Sequence, residues 1–191
     1  MTTGPRVPPL PPEEWGEEER SAYAVLESES TRAIGPASNA TMALVRHPKL
    51  CKAFYTLGRH LLVESSVPDR LREMVTLRVA VRYRSEYEWY HHVRFALRIG
   101  ITDAEIEAVK LGSSAPNWRR PERAVLKLVD ELCGEGKLSD ATWGDLNEIL
   151  NQQQIMDLVY TVGNYIMTAL ALSALQIGIE PGFDNKGHPL S

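Results

Sequence analysis

Apolar residues recur along this chain at three- and four-residue steps, and no segment of useful length alternates with period two, so the pattern predicts helices throughout. The acidic run Glu13, Glu14, Glu17, Glu18 and Glu19 suits a helix N-terminus, and Trp15, Tyr23 and Leu26 give that helix an apolar side to about Ser28. Thr31 to Asn39, with Gly35 and Pro36, reads as a loop, and helical periodicity resumes over Ala40 to Val45. Pro48 opens a helix whose Leu50, Phe54, Leu57, Leu61 and Leu62 share one face. Pro68 takes a first helical position, and the following helix to about Tyr83 is largely apolar but interrupted by Arg78 and Arg82. A helix then runs from near Ser85 to Gly100, a suitable residue just past a helix end.

Further on, Thr102-Asp103-Ala104-Glu105 is a capping box. Gly112 to Pro121 is loop, and Glu122 to Leu132 carries Ala124, Val125, Leu128, Val129 and Leu132 on one face before Gly134 and Gly136. Ser139-Asp140 caps a helix to Leu150. From Gln152 the run Ile155, Leu158, Val159, Val162, Ile166, Leu170 and Leu175 is apolar nearly all round, which predicts burial in the core or against another subunit. The expected fold is all-α, a compact bundle of roughly seven or eight helices without an internal repeat. The prolines of residues 1–12 predict an arm, residues 13–180 a single helical domain, and residues 181–191 an irregular tail.

Charge and cysteine content narrow the class. A net charge of −4 over 191 residues offers no strong single-sign field for nucleic acid or an anionic membrane surface. Cys51 and Cys133 lie in separate predicted helices, far apart in sequence, and read as small apolar residues rather than a disulfide or redox pair. No stretch reaches the ~18 uninterrupted apolar residues of a membrane span, and the start of the chain lacks a signal pattern. The expectation is a soluble, cytoplasmic protein with no nucleic-acid or membrane partner.

Candidate chemistry concentrates in Ser85-Glu86-Tyr87-Glu88-Trp89-Tyr90-His91-His92, within the stretch Pro68 to Leu111. Glu88 and His92 are four apart, hence one above the other on a helix, at the end of an apolar line continued by Phe95 and Ile99. Trp89, Val93, Ala96 and Gly100 form a second line. A histidine between an acid and an apolar wall suits general acid–base work, because the two neighbours move its pKa in opposite directions. Ser85 and Glu88 also spell a capping box, in which both groups would serve only the helix end. His91 points about 100° away from His92, and consecutive histidines do not share a helix face, which disfavours a metal site.

Leu71-Arg72-Glu73-Met74-Val75, Leu77-Arg78-Val79-Ala80, Glu86-Tyr87-Glu88-Trp89-Tyr90-His91-His92 and Gly100-Ile101-Thr102-Asp103-Ala104-Glu105-Ile106 together resemble the carboxymuconolactone decarboxylase family, which includes the alkylhydroperoxidase D-like proteins. The motif match covers residues 68–109. The resemblance implies an all-helical fold and a homo-oligomer, often a trimer or hexamer, whose helices pack across subunits. Redox members carry Cys-x-x-Cys-x-x-x-His with a glutamate twelve residues before the first cysteine. Here those places are held by Ser85, Glu88, His92 and Glu73, so both thiols are gone while the glutamate and histidine remain.

A serine and a carboxylate cannot exchange a disulfide, which removes the dithiol peroxidase mechanism, and Cys51 and Cys133 have the wrong spacing to replace it. What remains resembles the non-redox branch, whose decarboxylases act on a small carboxylated lactone without metal or organic cofactor. On that resemblance His92 moves a proton, with Glu73 or Glu88 as its partner. One of Arg78, Arg82 or Arg84 binds a substrate carboxylate through its guanidinium fork. Ser85, Trp89 and Tyr165 complete the expected substrate-binding set. The expected function is a cofactor-independent lyase or isomerase of a small carboxylated ring compound. The alternatives are an oligomeric small-ligand binding protein with a buried Glu/His network and, as a third reading, a peroxidase-related protein using another nucleophile.

Overall fold

In the computed structural model, which describes residues 4–26, 38–184 and 186–191, the helical periods become nine α-helices, and no strand occurs among the described residues. They are α1 Glu17–Tyr23, α2 Asn39–Leu44, α3 Pro48–Arg59, α4 Asp69–Tyr83, α5 Glu86–Arg98, α6 Asp103–Leu111, α7 Arg120–Glu135, α8 Asp140–Asn147 and α9 Gln152–Leu175. The expected end of the first helix at Ser28 and the expected loop through residues 31–37 lie outside the described residues. So do residues 1–3 of the expected arm and residue 185 of the expected tail.

Local chemistry sets most of the boundaries. Pro48 occupies the first turn of α3, where its missing amide costs nothing, and Gly100 follows the end of α5 with φ +83. Thr102 accepts from the Glu105 amide at 3.3 Å while Glu105 Oε2 accepts from the Thr102 amide at 2.9 Å, so that capping box forms as expected. Gly136 ends α7 at φ +69, whereas Gly134 lies inside the helix, which therefore outlasts the expected limit at Leu132. α8 is shorter than expected and stops at Asn147.

The chain forms two compact units, residues 1–65 with 171–183, and residues 66–170 with 184–191. In the first, Trp15, Ala22, Val45, Cys51 and Tyr55 make the core. Trp15 Nε1 donates to the Leu10 carbonyl at 2.8 Å, Arg46 Nε to the Pro8 carbonyl at 2.6 Å, and the Arg6 amide to the Leu175 carbonyl at 2.9 Å. These bonds hold the described part of the proline-rich arm in place. Burial pushes the Cys51 thiol up to about 11, which suits the apolar role its sequence context suggests.

The second unit is organised around α4, in which every residue from Leu71 to Ala80 is buried. Leu71, Val75 and Val79 enter one core cluster with Val125, Leu128 and Val129 of α7, Leu146 of α8, and Ile155, Leu158, Val162 and Tyr165 of α9. Met74, Leu77 and Ala80 enter another with Trp89, Val93 and Ala96 of α5 and Ile106 and Val109 of α6. A third face of α4 carries Arg72, Glu73 and Thr76. α9 is long and apolar enough to cross a membrane, as judged by length and composition, with 33% of its most apolar window buried. Its inner face belongs to the core cluster just described, which accounts for much of that composition.

Two anchors fasten this unit at its edges. Arg78 donates through Nε to Asp130 at 2.7 Å and through its terminal nitrogens to the Val109 and Lys110 carbonyls at 3.1 and 2.7 Å, tying α4 to α7 and to the end of α6. The side chain packs over Gly112, where an added Cβ would stand 2.5 Å from the guanidinium and 2.7 Å from Asp130 Oδ2. At the other edge, His188 is buried with Nδ1 2.9 Å from Glu107 and Nε2 2.9 Å from Asp103. Its carbonyl accepts from Trp89 Nε1 at 2.9 Å, and Lys110 Nζ donates to the Pro189 carbonyl at 2.6 Å.

These anchors predict two outcomes. Gly112 sits at φ +71, ψ −150, a conformation open in practice only to glycine, so Gly112→Ala should cost about 1–3 kcal/mol from the backbone alone. A lowered urea midpoint would show it, and an unchanged midpoint would deny the left-handed backbone at this residue. Burial works against charge on His188, but the bonds to Glu107 and Asp103 prevail and hold its pKa above the ordinary 6.5. Its stabilisation is therefore complete below pH 6.5 and is lost as pH rises through the raised folded-state value. The stability gap between the unmodified protein and His188→Ala should narrow on that rise; urea titrations showing a gap independent of pH would contradict the pairing.

Candidate functional site

On α4 successive residues are rotated by about 100°, which fixes which charges can meet. Glu73 and the i+3 residue Thr76 lie on one side, whereas Arg78, five positions after Glu73, is turned about 140° from it. The facing helix α5 brings His92 onto Glu73, with Nδ1 and Oε2 2.7 Å apart. Their side chains are 12% and 6% exposed, so this is a nearly dry pair whose outer edge is His92. From α9, Tyr165 sets its ring edge-on to the imidazole, with centroids 5.0 Å apart and planes at 88°. Phe95, one turn along α5, has its ring centroid 5.6 Å from that of His92.

The pair defines a tautomer. With Glu73 accepting from Nδ1–H, the neutral imidazole carries its lone pair on Nε2, the orientation expected of a positioned base. Beside Glu73, Arg72 Nε stands 3.8 Å from Oε1, beyond hydrogen-bond distance, and has no hydrogen-bond partner among the described residues. Arg72 also pairs with Asp69 at 2.9 Å. Tyr165 is held protonated well above the usual range, by burial first and by the nearby Glu73 and Glu88 carboxyls in addition.

Glu88 behaves unlike the cap suggested by its spacing from Ser85. Ser85 makes no side-chain bond to the helix end, and Glu88 turns inward with 3% exposure. Neither carboxyl oxygen has a hydrogen-bond partner among the described residues. Burial pushes the carboxyl up to about 8, while the Ser85 hydroxyl pulls the other way without reaching bonding geometry. The capping box gives way because a carboxyl directed into the core cannot also reach back to the chain ahead of the helix.

The structure thus brings together Glu73, His92 and Tyr165, with Ser85 beside Glu88 on the first turn of α5. It places other expected binding residues elsewhere. Arg78 is committed to Asp130 and two backbone carbonyls, and breaking such a buried pair costs about 3–5 kcal/mol, so its role is architectural. Trp89 is fully buried in the α5–α6 core and uses its indole N–H on the His188 carbonyl. Arg82 and Arg84 are exposed; Arg82 lies beside Gly134, and Arg84 ends α4 in the left-handed conformation at φ 53. Arg72 escaped the sequence reading, although its place next to Glu73 and three residues after Asp69 could have marked it as a guanidinium held inward by an i,i+3 pair. No group of three or more His, Cys, Asp or Glu side chains converges as a metal would require, among the described residues.

Residues 48–131 match the family described as CMD, the carboxymuconolactone decarboxylase family. Solved structures of the same fold include an uncharacterized peroxidase-related protein from Silicibacter sp. TM1040, at 18% identity and a TM-score of 0.76, covering 96% of this chain and 97% of that one. An alkylhydroperoxidase AhpD core protein from Ralstonia eutropha JMP134 matches at 15% identity and a TM-score of 0.76, over 93% of this chain and 94% of the other. The debrominase Bmp8 matches at 14% identity and a TM-score of 0.74, over 94% and 95%. Among curated proteins none matches in sequence. The resemblance to the carboxymuconolactone decarboxylase family therefore holds in sequence over residues 48–131, and the all-helical fold is the alkylhydroperoxidase D-like one.

Proposed function

We propose, for a chain that shares the carboxymuconolactone decarboxylase family's sequence pattern and the alkylhydroperoxidase D-like fold, a cofactor-independent lyase or isomerase acting on a small carboxylated ring or lactone. The observation that carries this reading is the 2.7 Å contact between His92 Nδ1 and Glu73 in an almost dry setting. A carboxylate so placed orients the ring, fixes its tautomer and stabilises the imidazolium formed when Nε2 takes a proton. Ser85 and Glu88 stand where the redox pattern has thiols, so proton transfer replaces electron transfer as the available chemistry. A fold relative, the debrominase Bmp8, has been solved with 2,3,4-tribromopyrrole, which supports a small ring as the kind of molecule this fold can take.

In this reading His92 removes a proton from carbon next to a carbonyl, or returns one after loss of carbon dioxide. Arg72, whose Nε beside Glu73 is unpartnered among the described residues, is the anion anchor expected of one of Arg78, Arg82 or Arg84. The protein works as a soluble cytoplasmic homo-oligomer. Met156, Tyr160, Met167 and Leu170, all exposed along one side of α9, provide apolar surface for a second copy. A non-catalytic binding protein is the second reading, favoured by the closure of Glu88 and Tyr165 from solvent.

Proton NMR in D₂O with a panel of carboxylated lactones, β-keto acids and enolisable ring compounds tests the proposal. The unmodified protein should release carbon dioxide from, or introduce deuterium into, one class of compound. His92→Gln should slow that reaction by about 10²–10⁴-fold, the usual contribution of a positioned acid or base. Equal rates for the two proteins would remove His92 from the chemistry, and silence across the panel with saturable ligand binding would favour the second reading.

A further inference from the structure

We propose that Glu88 is the general acid of this site, carrying its proton at neutral pH and giving it to the substrate oxygen on which negative charge develops. This rests on the acid–base reading of His92 and Glu73 and assigns the complementary half of the reaction. It also narrows the substrate to a compound with a carbonyl oxygen conjugated to the reacting carbon.

Two carboxyls that both act on Tyr165 meet opposite surroundings. Glu73, on α4, has His92 at 2.7 Å and the Arg72 guanidinium at 3.8 Å, so an anion there is compensated. Glu88, on α5, is 3% exposed and has no cation, no amide donor and no hydroxyl in bonding geometry on either oxygen, among the described residues. An unpaired buried carboxylate is among the costliest groups a protein can hold, and the escape is to stay protonated. The N-terminal turn of α5 favours a negative charge, but with the Ser85 cap unmade it does not deliver a bond to this carboxyl. Burial accordingly lifts Glu88 to about 8.

Around it, Ser85 precedes the same helix, His92 lies one turn further along the same face of α5, and Tyr165 of α9 feels its charge. Tyr165 feels the charge of both carboxyls, so Glu73 and Glu88 share one electrostatic neighbourhood. None of these neighbours supplies an acceptor for the Glu88 proton. A buried O–H without an acceptor is complete only when something else enters, and the matching entrant is an oxygen that gains charge. Paired groups whose environments drive their protonation apart are the mark of an acid and a base at one site.

The electrons balance without a co-reactant. His92 Nε2 takes a proton from the carbon next to a carbonyl, and the C–H pair becomes a C=C bond. The carbonyl π pair moves to oxygen, which takes the Glu88 proton. The products are an enol, an imidazolium and a carboxylate. Return of the imidazolium proton to another carbon, with the enol proton passing back to Glu88, completes an isomerisation and restores both residues. In a decarboxylation the pair of the breaking C–C bond plays the part of the C–H pair, carbon dioxide leaves, and a solvent proton reaches carbon through His92.

Infrared difference spectra of the unmodified protein against Glu88→Gln, taken from acidic to alkaline pH, read the proton directly. A protonated-carboxyl C=O band that is present at neutral pH and fades around 8 is expected, and its absence at neutral pH overturns the proposal. Binding of para-nitrophenolate, a stable stand-in for an enolate oxygen, reads the donor role through the shift of its absorbance. Glu88→Leu should weaken that binding at least about tenfold, the loss expected for a hydrogen bond to a charged group. Unchanged binding by Glu88→Leu, or none by the unmodified protein, overturns the proposal; Glu88→Gln, which keeps the side chain's shape, guards against a folding defect. Failure of the acid–base reading itself is separate, since it appears in the deuterium exchange of His92→Gln and leaves the infrared band in place.

Discussion

Burial of every residue from Leu71 to Ala80 in the helix Asp69–Tyr83 is the constraint from which the rest of the second unit follows. A helix buried from Leu71 to Ala80 that still carries Arg72, Glu73 and Arg78 must find a partner for each charge or lose far more than its apolar contacts return. Each partner comes from a different direction. Arg70 reaches Glu105 and Glu122, Arg78 reaches Asp130, Arg72 turns back to Asp69, and Glu73 meets His92. Ion pairs of this kind add little net stability compared with apolar side chains of the same volume. What they supply here is alignment, because α5, α6 and α7 must all be in register with α4 for the charges to be met together.

That alignment positions the candidate site. The Arg78–Asp130 and Arg70–Glu122 pairs fix α4 against α7, so the Glu73 carboxyl arrives at His92 from a helix held elsewhere along its length. Tyr165 closes the third side from α9 while also belonging to the core between α4, α7 and α9. Precision in the His92–Glu73 contact is thus inherited from packing remote from it, as a positioned acid or base requires. Water is largely kept out by the same packing, and burial of this kind is what pushes the Glu88 carboxyl up.

The helices were legible in the sequence wherever local chemistry decides the outcome. The proline opening α3, the Thr102–Glu105 box and Gly100 after α5 each work through atoms within one turn, and each occurs as expected. The pairing of Glu73 with His92 was legible only as a family pattern, since a separation of nineteen positions leaves the helix crossing undetermined by periodicity. The Ser85–Glu88 box shows the limit of local reasoning. The spacing is correct, yet tertiary packing directs Glu88 inward and the cap is not made. The guanidiniums illustrate the same point, because among several arginines only the angular position on a buried helix separates Arg72, beside the acid, from Arg78, committed to Asp130. His188 gave no signal of its own, because its two carboxylate partners lie more than eighty residues earlier in the chain.

Replacing a thiol by a carboxyl at the start of α5 changes more than the name of a side chain. A thiol there would draw on the positive end of the helix to become an anion and attack, so its usefulness grows as its proton is lost. A carboxyl in the same dry place follows the opposite rule: desolvation outweighs the helix end and favours the protonated form, the form the proposed donor role needs. The histidine–glutamate pair suits either chemistry, since an oriented imidazole can deprotonate a thiol or a carbon acid. On the proposed reading, the residue at position 88 decides which kind of reaction this scaffold hosts, and glutamate directs it toward moving protons.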